Sequence, residues 1–553
     1  MAGENRIKVN AEFRAFSMNT GQPDFADSSG SSTADTIERL KRLAEEYDVD
    51  FIEQITEDML APELVANVPV EWARAKNVLP ARINGVEAIL TSDPTDLSSI
   101  EYMNLLTGRS LRVFVAPPSA IASSIELCYY RKEHSPEDFM KEIKTPENGK
   151  NLRTQSTTDD LLKVIEEAPV TQLVNLTLLD AVKSRASDIH FEPFESRFRI
   201  RYRIDGVLYE QPSPPRHIED ALISRLKIMA KIDIAEKRLP QDGMTRVKVG
   251  DREIDIRVST VPVAEGERVV LRLLDKESSL LPLTSLGMSE TVLNKFNSLL
   301  KETNGIIIVS GPTGSGKTTT LYASLQSLDA TRRNIMTIED PIEYQLQNIA
   351  QIQVKPKIGL TFANGLRHIL RQDPDVILVG EIRDLETAEI SIRASLTGHL
   401  VFSTLHTNDA PGAVMRLVDM GVERYLVAEC LKAVLAQRLV RKLCTSCKRP
   451  VALDQNTRKQ LGQLATKLAV DRVYEPAGCS KCLEGYRGRT GIFELMTISN
   501  ELRELIRSGE LSGIMLRNTA EQMGMKGLLE DGLSKVRDGI TSIAEILALG
   551  LTV

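Results

Sequence analysis

Four short apolar runs, Ile306 to Val309, Ile335 to Ile338, Val376 to Val379 and Leu400 to Phe402, recur between about residues 285 and 440, separated by helical periodicity. Runs of this length suit strands buried on both faces, and their alternation with helices predicts a parallel sheet. Upstream, between 161 and 280, the period changes. Phe198-Arg199-Ile200-Arg201-Tyr202-Arg203-Ile204 alternates strictly, Asp205-Gly206 supplies a turn, and a strand pair is expected from Asp251 to Leu274. A second α/β domain is predicted there.

Residues 36–130 mix helix patterns with a strand at Glu87-Ala88-Ile89-Leu90 and a turn at Asp93-Pro94, which predicts a smaller α/β domain whose chemistry the pattern does not reveal. Residues 1–35 read as a disordered tether, because Ser17 to Asp35 is rich in Ser, Gly, Asp and Thr and offers little apolar surface to bury. Residues 131–160 are charged, Glu142 to Lys150 above all, and read as a linker. The chain is expected to close with a four-cysteine insert at 441–490 and a helical part at 491–553. No internal repeat at solenoid periods is present.

With 553 residues, 42% hydrophobic, the chain can support several cores. The net charge of -7 argues against a surface built to neutralise a nucleic-acid backbone, so no nucleic-acid partner is expected. Met1 to Lys8 lacks the apolar centre of a signal peptide, and the run Ile543 to Val553 is too short to span a bilayer. A cytoplasmic location is expected, where paired cysteines point to metal rather than to disulfides.

Gly311-Pro312-Thr313-Gly314-Ser315-Gly316-Lys317-Thr318, with Thr319 behind it, lies between a buried-strand pattern and a helix pattern. A Gly-x-x-x-x-Gly-Lys-Thr loop there gathers backbone N–H groups at a helix N-terminus, where phosphate finds donors and a favourable dipole. Lys317 would meet the β and γ phosphates of ATP, and Thr318 would offer a hydroxyl to Mg²⁺. Hydrolysis also needs carboxylates near the phosphates. Glu381 ends an apolar strand in the manner of a Walker B acid, although Gly380 stands where many ATPases carry an aspartate. Glu343, in Glu339-Asp340-Pro341-Ile342-Glu343, is the candidate for activating water.

Arg367 and Arg371 are spaced for one helix face, and Arg257 and Arg272 lie on strands of the preceding domain, so each can serve the phosphates or an ordinary salt bridge. His399 opens the strand that ends at His406, and either suits a γ-phosphate sensor or a structural role. Cys444-x₂-Cys447 and Cys479-x₂-Cys482 offer four thiolates, the set for a closed tetrahedral Zn²⁺ site, with free or redox thiols as the alternative.

Together with Arg185 to His190, Arg238 to Gly243, Thr337 to Tyr344, Arg371 to Glu386, Thr397 to Thr407 and Ala436 to Leu443, these motifs make the chain resemble the type II secretion and type IV pilus assembly ATPases. The similarity is strong over 160–553 and weak over 40–130. It implies a multidomain α/β protein: a RecA-like P-loop core, a preceding PAS-like domain that swings against it, a zinc-binding insert and a helical C-terminal part. It further implies a homohexamer that hydrolyses ATP to assemble a pseudopilus for type II secretion, or alternatively to extend a type IV pilus. Implied partners are an inner-membrane platform protein and a membrane protein with a cytoplasmic domain, the latter bound by the domain at 36–130, with peripheral membrane association through them. Glu343 then resembles the catalytic acid, Glu381 the Walker B acid, His399 and His406 the His box, and the four arginines phosphate-facing groups. Met244 departs from the family pattern, in which an arginine is expected after Gln-Asp-Gly. A DNA-translocating motor and a non-hydrolysing nucleotide sensor are the competing classes. The acidic balance counts against the first, and the presence of both Glu343 and Glu381 against the second.

Overall fold

A computed structural model describes residues 33–65, 68–132, 159–160, 169–249, 252–275, 281–453, 458, 472–508 and 510–550. Most of the expected tether and linker lies outside these residues. The chain divides into two compact units, 1–134 and 135–553.

The first unit holds a four-stranded sheet in the order β1 (Asp50–Phe51), β4 (Arg112–Val115), β3 (Val86–Thr91), β2 (Val78–Ile83). Asn84 and Gly85 join β2 to β3 with positive φ at both positions, the turn that matches strand twist in a hairpin. Leu79, Ile89, Leu90 and Met103 are fully buried between this sheet and its helices. Asp96 caps the helix Leu97–Thr107 through the Ser99 N–H.

The second unit begins with a seven-stranded sheet in the order β5-β9-β10-β11-β6-β7-β8. Its strands are β5 (Asp159–Asp160), β6 (Ala186–Pro193), β7 (Phe198–Ile204), β8 (Val207–Gln211), β9 (Gln241–Val249), β10 (Arg252–Val263) and β11 (Gly266–Asp275). Along β7 the alternation is realised side by side: Phe198, Ile200, Tyr202 and Ile204 are buried, while the arginines between them face the other way. The Tyr202 hydroxyl donates to Thr177 O at 2.9 Å and so pins the helix Pro169–Lys183 to the apolar face.

The remaining strands are β12 (Gly305–Ser310), β13 (Ile335–Glu339), β14 (Ala350–Gln353), β15 (Val376–Val379), β16 (Leu400–Leu405), β17 (Leu431–Leu443), β18 (Arg449–Ala452), β19 (Arg472–Glu475) and β20 (Tyr486–Thr497). A second seven-stranded sheet runs β14-β13-β15-β16-β12-β17-β20, parallel except for β20. The expected apolar runs form β12, β13, β15 and β16, all buried. Because these strands are parallel, their carboxyl ends open on one edge, where such sheets bind ligands.

The C-terminal part carries helices, as expected, and also strand β20, where helical periodicity had been read. β17 runs unbroken through residue 440 as a strand. Its residues are mostly strong helix formers, and pairing with β12 and β20 overrides that preference. The described part of the cysteine insert contains a two-stranded sheet, β18-β19. No helix among the described residues is long and apolar enough to cross a membrane.

Candidate active site

At the carboxyl end of β12 the chain turns through Gly311 to Gly316 into the helix Lys317–Gln326. Two glycines there are demanded by space. A Cβ on Gly311 would sit 2.5 Å from Gln437 O, and one on Gly316 would sit 2.8 Å from the Gln437 amide, with φ at +87°. The loop therefore lies directly against β17. Thr320, one turn into the helix, donates to the Gln437 side chain at 2.7 Å and locks the same contact.

Lys317 Nζ donates to Gly311 O at 2.8 Å and Pro312 O at 3.0 Å, folded over its own loop. Burial pushes its pKa below the usual lysine value, and the carboxylate of Glu381 pulls the other way. The Ser315 hydroxyl is buried without a hydrogen-bond partner in the same loop.

Thr313 to Thr319 line a cleft of about 750 Å³. Its other walls include Glu343, Glu381 and His406 from the nucleotide sheet and Asp188, Arg203 and Arg272 from the preceding domain. Glu381 lies just beyond β15, whose end is stitched to its neighbours. Gly380 N donates to Ile338 O at 2.8 Å, and Thr404 Oγ1 donates to Gly380 O at 2.7 Å. A Cβ at 380 would lie 3.2 Å from Ile338 O and 3.4 Å from Glu339 Cα, so a side chain there would require the neighbouring strand to shift by a few tenths of an ångström. Glu381 pairs with Arg383 and faces His406 Nε2 at 3.6 Å. Burial, followed by the neighbouring Lys317, lowers the His406 pKa.

Glu343, which lines the cleft, meets Arg257 on β10, Oε2 to Nη1 at 3.3 Å, and the second Arg257 nitrogen donates to Ile342 O at 3.1 Å. The preceding domain thus reaches the carboxylate proposed to activate water. Arg272 lines the cleft and donates to Asp188 at 3.1 Å, and Arg203 faces the other Asp188 oxygen at 3.6 Å. Asp188 lies within the Arg185 to His190 block, but its part in holding two arginines was not legible there.

Other expected site residues lie elsewhere. Arg367 donates to Glu386 at 2.7 Å, and Arg371 donates to Arg367 O at 3.0 Å and contacts His368; both are exposed and neither lines the cleft. His399 precedes β16, at the end opposite His406 and roughly 20 Å away by strand rise. Its Nδ1 lies 2.8 Å from Ala394 O. Met244 is exposed on β9, opposite Arg257.

Sequence reasoning missed Glu339. This buried carboxylate accepts from Thr337 at 2.6 Å, from Gln351 at 3.1 Å and from Tyr322. It also missed Arg438, which is 8% exposed and donates to the Asn408 side chain at 3.0 Å, bracing the turn that follows His406.

In the insert, all four Sγ atoms of Cys444, Cys447, Cys479 and Cys482 lie within 4.8 Å of one another. The separations given by Cys444–Cys479 (3.9 Å), Cys447–Cys482 (3.7 Å) and Cys479–Cys482 (3.5 Å) bracket the ~3.8 Å edge of a tetrahedron with Zn–S bonds of ~2.3 Å. The Ser446 backbone N–H lowers the Cys444 pKa to about 7, whereas burial raises that of Cys447 to about 11 and Cys479 is also raised, so a bound metal would have to draw off their protons.

The family model described as "Type II/IV secretion system protein" matches residues 163–548. The chain belongs to that family. A second model, the MshEN domain, matches residues 47–135. Type II secretion system protein E of Dickeya dadantii is 47% identical to this family member over 88% of the present chain and 97% of its own length. The type IV pilus assembly ATPase PilB of Myxococcus xanthus is 44% identical over 91% and 89% respectively. Among solved structures, the Legionella pneumophila ATPase DotB matches 71% of this chain and 99% of its own, with TM-score 0.51 and 19% identity, a likeness of fold. The cleft and the family agree: this secretion-family chain is an ATPase.

Proposed function

We propose that this chain hydrolyses ATP as a homohexameric motor that assembles a pseudopilus for type II protein secretion, acting on the cytoplasmic face of the inner membrane. The observation that carries the reading is one cleft lined by the phosphate loop, Glu343, Glu381 and His406, with Arg257 of the preceding domain paired to Glu343. Backbone N–H groups within Thr313 to Thr319 and the Lys317 ammonium hold the phosphates. Glu343 activates water, His406 senses the γ-phosphate, and Arg257 and Arg272 neutralise charge that develops in the transition state. Arg367, Arg371 and His399 lie outside the cleft, so a role at a phosphate would require them to meet that of a neighbouring subunit in the ring.

The Thr318 hydroxyl and Glu381, both at the cleft, would hold Mg²⁺, which would offset the phosphate charge. Four cysteines would hold Zn²⁺ as a structural knot. The partners are an inner-membrane platform protein and the cytoplasmic part of a second membrane protein, which recruits the chain to the membrane. The relative named as a pilus assembly ATPase favours type IV pilus extension as the second reading.

Steady-state ATPase activity, measured with and without the cytoplasmic part of the membrane partner alongside light scattering, tests the proposal. Stimulation together with hexamer formation is expected. A monomer that the partner never stimulates, or an activity stimulated by DNA, refutes it.

A further inference from the structure

Beyond β16 only four residues, His406 to Asp409, bridge to the helix Ala410–Asp419. His406 faces the nucleotide cleft, but part of what fixes this turn comes from the far end of the chain. Asp409 caps the helix through Gly412 N at 2.8 Å, and its other oxygen accepts from Arg517 Nη2 at 2.9 Å. Glu494 on β20, 1% exposed, accepts from Ala410 N at 2.7 Å and from Leu528 N at 3.4 Å, and it meets Arg517 Nη1 at 3.2 Å.

Arg517 therefore bridges two carboxylates that grip one helix N-terminus, Asp409 taking Gly412 N and Glu494 taking Ala410 N. A buried carboxylate is costly unless it is fully bonded, and such pairs are best attested where they fix register. Here the element fixed is the four-residue turn that carries His406.

We propose that Arg517, acting through Asp409 and Glu494, is a positioning residue for His406. It sets the turn so that the imidazole stands beside Glu381, and it ties that placement to the helices Gly513–Gln522 and Leu528–Arg537. The inference rests on the role given to His406 above.

A double-mutant cycle on the assembled full-length protein tests it, with ATPase kcat and KM as readouts and thermal melting as the control for folding. Arg517→Ala is expected to lower kcat about tenfold with KM for ATP little changed, as misplacement of a reacting group does. In a His406→Ala background the same change should cost less than about twofold, because the group it positions is gone. Arg517→Lys, which can serve one carboxylate at a time, should recover part of the loss. If Arg517→Ala prevents assembly, Glu494→Gln, which keeps the shape and removes the charge, is taken through the same cycle.

Equal losses in both backgrounds, or no loss in the parent, would overturn the positioning role while leaving His406 as sensor. A His406→Ala protein with unchanged kcat would overturn both.

Discussion

Arg257→Ala is the perturbation whose size the structure constrains best. The guanidinium serves two acceptors on one turn, Glu343 at 3.3 Å and Ile342 O at 3.1 Å, and so fixes the backbone and the carboxylate together. Two unit charges at that separation attract by about 5 kcal/mol at an effective dielectric of 20. With side chains 23% and 31% exposed, solvent screening and side-chain entropy bring the ion pair down to about 1 kcal/mol. The hydrogen bond to the carbonyl adds about 1 kcal/mol. If Glu343 must be held in this orientation to activate water, the sum of about 2 kcal/mol appears in the barrier, a fall of about thirtyfold in kcat. Arg257→Lys keeps the charge but cannot span both acceptors, so it should recover only part. Steady-state kinetics on variants confirmed to be assembled give the answer. A kcat for Arg257→Ala within about twofold of the parent, or full recovery with lysine, refutes the reasoning.

Glu381→Gln removes the carboxylate that faces Lys317 and His406; turnover should fall by about 10³ while ATP binding stays within a few-fold, and binding titration beside single-turnover hydrolysis separates the two. Elemental analysis should find about one zinc per chain, lost in Cys447→Ser. Amide exchange should then rise first at Leu443, next to the cluster, whose N–H donates to Ile540 O at 2.8 Å; unchanged protection there counts against the knot. Burial and Lys317 hold His406 below its ordinary 6.5, so the folded state favours neutral imidazole. Its contribution to stability is whole above pH 6.5 and is lost as pH falls through the lower folded value. His406→Gln should therefore flatten part of the acid-side decline in Tm, leaving the share of His190, which burial shifts the same way; an identical slope would contradict this.

The parallel core was legible because strands buried on both faces leave uninterrupted apolar runs, as at Ile306 to Val309 and Val376 to Val379. The phosphate loop was legible because Gly311 and Gly316 are required by local crowding and Gly314 by its positive φ. β17 was not, since Leu, Ala, Gln, Arg and Lys favour helix and only its neighbours decide otherwise. Pairings between the domains were equally hidden. Strand alternation shows that Arg257 leaves the apolar face, but not that Glu343, 86 residues later, waits opposite. His399 and His406 looked equivalent in sequence, and strand direction separates them, because ligands gather at carboxyl ends.

The unbroken course of β17 spans two sites. Gln437 touches the phosphate loop, and Cys444, just past the end of the strand, belongs to the four-thiol cluster, seven residues or about 23 Å farther on. The ladder to β20 is regular from Gln437 to Arg441 and irregular before Leu443. Loop and cysteine cluster are thus joined along one strand, with the break in register falling on the side of the cysteines.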